Sequence, residues 1–151
     1  MMKSVLIFSL ALCVSSCALA ETVVACPTPA DITMARGVYT ANASDGNGEW
    51  LGIAQGLEES TIKAFFSAIF FPAHMMDSGS AASVKCSYEL NNGNYVDLRF
   101  IAKSQKPKSL QPDLRLEGSI WHQKNGPFDL FYYECTAPSG SSCRFVVVQR
   151  S

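Results

Sequence analysis

The sequence SVKCSYELNNGNYVDLRFI, residues 83–101, decides the fold class of this chain. On both sides of the segment 91–94, small or apolar residues alternate with polar residues at every second position. Alternation of this period is typical of a strand with one buried face, and an Asn/Gly-rich segment between two such runs predicts a β-hairpin. We therefore expect antiparallel strands over 83–90 and 95–101.

Similar β-prone runs occur on either side of this hairpin, separated by segments rich in Gly, Asn, Ser and Pro. The predicted pairs are 37–41 with 49–54 across a polar tip, and 116–122 with 128–135 across the turn 124–127, followed by a last strand over 143–148. Short strands at this spacing predict a mainly β fold. We expect one small antiparallel β-sandwich or barrel-like domain over residues 21–151.

Residues 58–71 fit two kinds of secondary structure. Their apolar side chains follow helical spacing, at positions Ile62, Phe65, Phe66, Ile69 and Phe70. However, the run is short and aromatic-rich, and it ends at a proline, as a buried strand would. We favour a strand here over one short helix.

Residues 1–20 have the form of a secretory signal peptide. Lys3 is followed by an apolar run that is too short to span a bilayer, and then by the small-residue site Ala18-Leu19-Ala20. This predicts cleavage after Ala20 and a periplasmic location. An alternative follows from Val14-Ser15-Ser16-Cys17, which resembles a bacterial lipoprotein box. A lipid on Cys17 would anchor the protein to a membrane.

Four cysteines follow this leader, namely Cys26, Cys86, Cys135 and Cys143. Four cysteines, an even number, in an exported chain predict two disulfides, which cross-link the domain. Metal binding is a weaker interpretation, because the chain has no C-x-x-C pair and its two histidines stand alone. Since residues 136–142 favour a turn, we pair Cys135 with Cys143 and Cys26 with Cys86.

The remaining composition excludes several function classes. The formal net charge is −1 and neither sign forms a block, which argues against a nucleic-acid partner. The chain has no second apolar run that is long enough to predict a transmembrane segment. His74 and His122 have no nucleophile or orienting group nearby in sequence, and Gly-x-Ser-x-Gly is absent. We expect no enzymatic activity, no cofactor and no metal.

Two segments could contact a protein partner. The first is the loop carrying His74, Met75 and Met76, because exposed methionine adapts to varied surfaces. The second contains Tyr132 and Tyr133, in a run with aromatic residues on both faces of a predicted strand. Packing at the edge of the core is the alternative explanation of each pattern, and the one we favour.

A family resemblance lies in Cys26-Pro27-Thr28-Pro29 with Ile32, in Trp50, in Phe65-x-x-Ala68 and in Val84-x-Cys86-x-Tyr88. These residues resemble a family of small exported proteins of unknown function from gamma-proteobacteria. One member is described as a periplasmic factor associated with type IVB (Dot/Icm-like) secretion and needed for intracellular replication. The resemblance implies an envelope or secretion-system protein as the partner.

Two functions therefore follow as expectations. The first is a non-enzymatic periplasmic interaction protein that serves an envelope assembly. The alternative is a small exported inhibitor of a lysozyme or a peptidase. Such an inhibitor would present a reactive group on a projecting loop, at 45–48 or 73–80.

Overall fold

The computed structural model describes residues 20–56, 59–73, 81–103 and 112–149. The strands within these ranges are β1 (Glu21–Ala25), β2 (Thr33–Ala35), β3 (Val38–Asn42), β4 (Gly48–Ile53), β5 (Ile62–Phe71), β6 (Ser83–Leu90), β7 (Tyr95–Ala102), β8 (Asp113–Leu116), β9 (His122–Asn125), β10 (Phe131–Cys135) and β11 (Arg144–Val148). Short 3₁₀ turns cover Pro29–Asp31 and Gly140–Ser142. Residues 1–19 of the predicted leader, which include Cys17, and the residues His74, Met75 and Met76 lie outside the described residues.

The strands form two antiparallel sheets, which confirms the predicted mainly β sandwich. The large sheet has eight strands in the order β2-β3-β4-β7-β6-β5-β10-β9, and the small sheet has the order β1-β11-β8. Aromatic side chains from both sheets meet in one core, where the Phe145 ring of β11 lies 6.0 Å from Trp50 and 5.2 Å from Phe100. The small sheet therefore covers the inner face of the large one.

The two hairpins predicted around 83–101 and 37–54 are confirmed. Strand β6 pairs with β7 from Lys85↔Arg99 to Glu89↔Tyr95, and β3 pairs with β4 over its whole length. Their inward positions, such as Tyr88 and Leu98, are fully buried. The alternation in the sequence thus identified the buried face of the hairpin at 83–101.

The prediction for residues 116–135 was wrong in its strand bounds. Leu116 ends β8, which pairs with β11, and the hairpin partner of β10 is instead β9. Phe128 and Asp129 adopt left-handed backbone conformations, with φ of 59° and 58°, in the turn between β9 and β10. This turn is closed by the Gly126 N–H, which donates to the Leu130 carbonyl at 2.6 Å. Left-handed residues cannot continue a strand, so β10 begins only after them.

Residues 62–71 form a strand, as we favoured, and two register shifts against β6 explain their helical spacing. The shifts lie between Ile62 and Ala64 and between Phe65 and Ser67. Each inserts one extra residue, so a step of two becomes a step of three between positions on the same face. The strand therefore imitates the i, i+3 spacing of a helix.

Both predicted disulfides are present, and each links the small sheet to the large one. Cys26 follows β1 and bonds to Cys86 of β6, while Cys143 precedes β11 and bonds to Cys135 of β10. Ala68 of β5 pairs with Cys86 on one side and with Cys135 on the other. The two bridges therefore flank one small, fully buried residue in the middle of the large sheet.

Candidate functional site

The outer face of the large sheet is the candidate site. No described strand packs over it, whereas the inner face lies against the small sheet. Five of the large apolar side chains that are exposed in the described ranges belong to this outer face: Leu51 (36%), Ile53 (70%), Phe66 (56%), Tyr95 (52%) and Ile101 (41%). Clustered exposure of this kind is typical of interaction surfaces rather than of a solvated face.

Four aromatic side chains and one isoleucine form a row across this face, which we call the aromatic row. Its members are Phe66, Ile69 and Phe71 of β5, Tyr95 of β7 and Tyr132 of β10. The Phe66 and Tyr95 rings meet edge to face with centroids 5.1 Å apart, and the Phe71 and Tyr132 rings lie 6.1 Å apart. The bulges of β5 place its outward side chains at steps of three, which is why Phe66 and Ile69 share one face.

Two ion pairs between side chains of β5, β6 and β7 flank the aromatic row. Lys63 Nζ lies 2.7 Å from Glu89 Oε1, and Lys85 Nζ lies 2.6 Å from Asp97 Oδ2. The Ser87 hydroxyl donates to Asp97 at 2.5 Å. These side chains already satisfy one another, so they offer a partner a polar border without an unpaired charge.

The surroundings of these groups shift two pKa values. Partial burial, the largest single influence, would raise the pKa of Asp97, but hydrogen bonds from Lys85 and Ser87 together with the positive charges of Lys85 and Arg99 outweigh it and lower that pKa. The hydrogen bond to Glu89 raises the pKa of the exposed Lys63 ammonium group. Both shifts favour the charged forms of the paired groups.

A shallow cleft of about 630 Å³ opens where β4 and β7 separate. Their pairing ends at Leu51↔Arg99, although β4 stays paired with β3, and β7 with β6, beyond that point. The side chains of Leu51, Ile53, Gln55, Asn94, Tyr95 and Arg99 line the cleft. One end of the aromatic row is thus continuous with a concave surface of mixed chemistry.

The structure separates the predicted interface residues. Tyr132 belongs to the aromatic row, whereas Tyr133 points to the inner face, 6.3 Å from Phe70 and 6.0 Å from Phe131 between ring centroids. His122 lies exposed on β9, at one edge of the large sheet. Because neighbouring strand residues point to opposite faces, Tyr132 and Tyr133 cannot serve one docking surface.

The loop at 45–48 is held within the chain. The Asp45 carboxylate accepts a hydrogen bond from the Thr22 hydroxyl at 2.7 Å and another from the Asn47 N–H at 2.9 Å. Its acidic group is therefore engaged by β1 and by its own turn. Of the second predicted loop, 73–80, only Ala73 lies within the described residues.

Sequence reasoning missed Phe66 and Tyr95 as site residues. Tyr95 is the first residue of β7 and stands at one of the positions where the alternation places polar, outward-facing side chains. Its exposure could therefore have been predicted from the sequence. Phe66 was hidden because the bulges change the phase of β5, and no local pattern in the sequence marks a bulge.

Two structural features are absent from the described residues. They contain no group of three or more His, Cys, Asp and Glu side chains that could hold a metal ion. Within the same residues, no helix has the length and hydropathy required to cross a membrane.

Comparison with known proteins gives one match. A family model described as a protein of unknown function, DUF3757, matches residues 20–146. No curated protein and no solved structure matches the chain.

Proposed function

We propose that this chain, which belongs to the DUF3757 family of proteins of unknown function, is an exported binding domain without catalytic turnover. Its partner is a protein of the cell envelope, which docks on the aromatic row. The resemblance to a periplasmic factor of type IVB secretion makes a secretion-system component the partner class to test first.

The observation that carries this proposal is the aromatic row itself. Phe66 and Tyr95 keep about half of their surface in water although both rings are large and apolar. Burying such rings against a partner is favourable, and interface hot spots are enriched in aromatic residues surrounded by a polar border. The Lys63–Glu89 and Lys85–Asp97 pairs supply that border.

The two disulfides support the proposal in a second way. They tie the small sheet to β6 and β10, the strands on either side of β5, which carries the centre of the row. A rigid platform loses little conformational entropy on binding, which favours affinity. Such bonds also indicate an oxidising, extracellular-type environment, and the predicted leader makes the periplasm our proposed location.

The test compares the double variant Phe66→Ala/Tyr95→Ala with Phe128→Ala. Phe128 is 92% exposed but lies in the turn between β9 and β10, so it serves as a matched aromatic control. Partners are captured by cross-linking from the native envelope and quantified by mass spectrometry. We expect the row variant to lose at least about tenfold in capture of a partner that the control retains, as for other hot-spot aromatics.

Thermal melting of both variants checks that each remains folded. Equal capture by the row variant and the control would contradict docking on the aromatic row. A folded His122→Ala variant that loses all biological activity while retaining the captured partner would contradict the proposed absence of catalysis.

A further inference from the structure

Four outward side chains of β4 and β7 form a second surface, which we call the β4–β7 patch. Glu49 pairs with Ile101 across the two strands, and Leu51 pairs with Arg99. The apolar residues therefore occupy one diagonal of the patch, and two opposite charges occupy the other. Neither Glu49 nor Arg99 forms an ion pair or a side-chain hydrogen bond with any described residue.

We propose that this patch joins two copies of the chain face to face, with reciprocal Glu49–Arg99 ion pairs. A symmetric dimer requires a surface that is complementary to itself. A two-fold axis in the plane of the interface, along the Leu51–Ile101 diagonal, places each of these apolar residues opposite its own copy. The same rotation places Glu49 of one copy opposite Arg99 of the other, and Arg99 opposite Glu49.

The dimensions of a β-sheet allow this rotation. Neighbouring strands lie about 4.8 Å apart, and alternate residues on one strand lie about 6.8 Å apart, so the four side chains form a rectangular array. An axis along the diagonal of this rectangle turns the strands of one copy across those of the other at about 70°. This crossing is close to the orthogonal arrangement, which is one of the two preferred ways in which sheets pack.

The side chains around the patch fit the same arrangement. Extending the observed registers outward, the rotation places each neighbouring charge of the described residues opposite a neutral polar residue: Lys85 opposite Asn47, Asp97 opposite Asn42 and Lys103 opposite Ser83. Like charges facing each other would oppose association, and none of these three charges faces another. The Glu49–Arg99 attraction is therefore not offset by repulsion among these neighbours.

This dimer and partner docking on the aromatic row share the Lys85–Asp97 pair at their borders but have different centres. The row is centred on β5, which β6 separates from β7. Tyr95, the row residue on β7, lies six residues from Ile101, or about 20 Å along the strand. Variants of the β4–β7 patch should therefore change self-association, and variants centred on Phe66 should change partner capture.

The test is a charge exchange measured by sedimentation equilibrium of the purified protein. We expect the unmodified chain to show a monomer–dimer equilibrium. Glu49→Arg alone and Arg99→Glu alone should each weaken it at least about tenfold, because each places like charges opposite one another twice. The double variant Glu49→Arg/Arg99→Glu should restore it. Glu59→Arg, an exposed position between β4 and β5, makes the same change of net charge as Glu49→Arg and should leave association unchanged.

A cross-link tests the geometry independently. Ile101→Cys should be linked to its own copy by a short bismaleimide reagent, because the axis places the two residues opposite each other in sheets that lie about 10 Å apart. Ile53→Cys, which is more exposed but lies off the axis, should link much less. A chain that is monomeric up to about 1 mM, a double exchange that does not rescue association, or equal linking at both cysteines would overturn the proposal.

Discussion

Replacing each disulfide by a pair of alanines should destabilise the protein by amounts that differ in a predictable way. One double variant is Cys26→Ala/Cys86→Ala and the other is Cys135→Ala/Cys143→Ala. All four cysteines are buried, so each variant removes the same two sulfur atoms from comparable surroundings. The cavity terms then nearly cancel, and the difference reports the constraint that each bond places on the unfolded chain.

The lengths of the closed loops set the magnitudes. The bonded residues are 60 positions apart in one bridge and 8 positions apart in the other. In the chain-entropy relation, loops of these lengths correspond to about 4.3 and about 2.5 kcal/mol at 25 °C. Domains of this size have free energies of unfolding of about 5–15 kcal/mol, so loss of the longer loop removes a large share.

The assay is equilibrium unfolding in urea, with the free energy in water obtained by linear extrapolation. We expect the variant without the Cys26–Cys86 bond to be less stable than the other by about 2 kcal/mol. Both variants should also show larger m values than the unmodified chain, because the unfolded state expands. Equal losses, or a greater loss from the Cys135–Cys143 variant, would refute the entropic reasoning and point to native-state packing around Ala68.

Two further perturbations test the large sheet. A Cβ at Gly52 would lie 2.5 Å from the Asp97 carbonyl oxygen, so Gly52→Ala should cost about 1–3 kcal/mol of unfolding free energy. A Cβ at Gly126 would lie 3.4 Å from its nearest backbone neighbour, so Gly126→Ala should cost far less. Equal losses in urea unfolding would contradict this prediction. Because the pKa of Asp97 is lower in the folded protein, its charge contributes stability that is complete above the unfolded pKa near 3.8 and is lost as pH falls through the folded pKa. The unmodified protein should therefore lose its advantage in unfolding free energy over Asp97→Asn on acidification from about pH 5 to about pH 2. An advantage that does not change across this range of acid pH would show that the Lys85 and Ser87 contacts contribute nothing through the charge of Asp97.

The sequence predicted best where the contacts are local. The hairpins around 91–94 and 42–48 join strands that are neighbours along the chain, so turn residues and alternation together define the pairing. The same holds for Cys135 and Cys143, whose short connection favours a turn. Once Cys135 and Cys143 are paired, Cys26 and Cys86 are the two cysteines left after the predicted leader, so their pairing followed.

Local patterns failed where backbone geometry departed from the ideal strand. Left-handed Phe128 and Asp129 shortened a predicted strand, and two bulges gave β5 the spacing of a helix. The bulges also decide which aromatic side chains of β5 face outward. The candidate surface could therefore not be found from alternation, although its individual rings are visible in the sequence.

By itself the sequence determined the strand character of the chain, the buried phase of the hairpin at 83–101 and the chemistry of its four paired cysteines. Tertiary structure alone decided that β11 lies between β1 and β8, and that the outer face of the large sheet stays uncovered. Glu21 pairs with Val148 across almost the whole described chain. Such a contact has no local signal, because it forms only when the two sheets bury their apolar faces against each other.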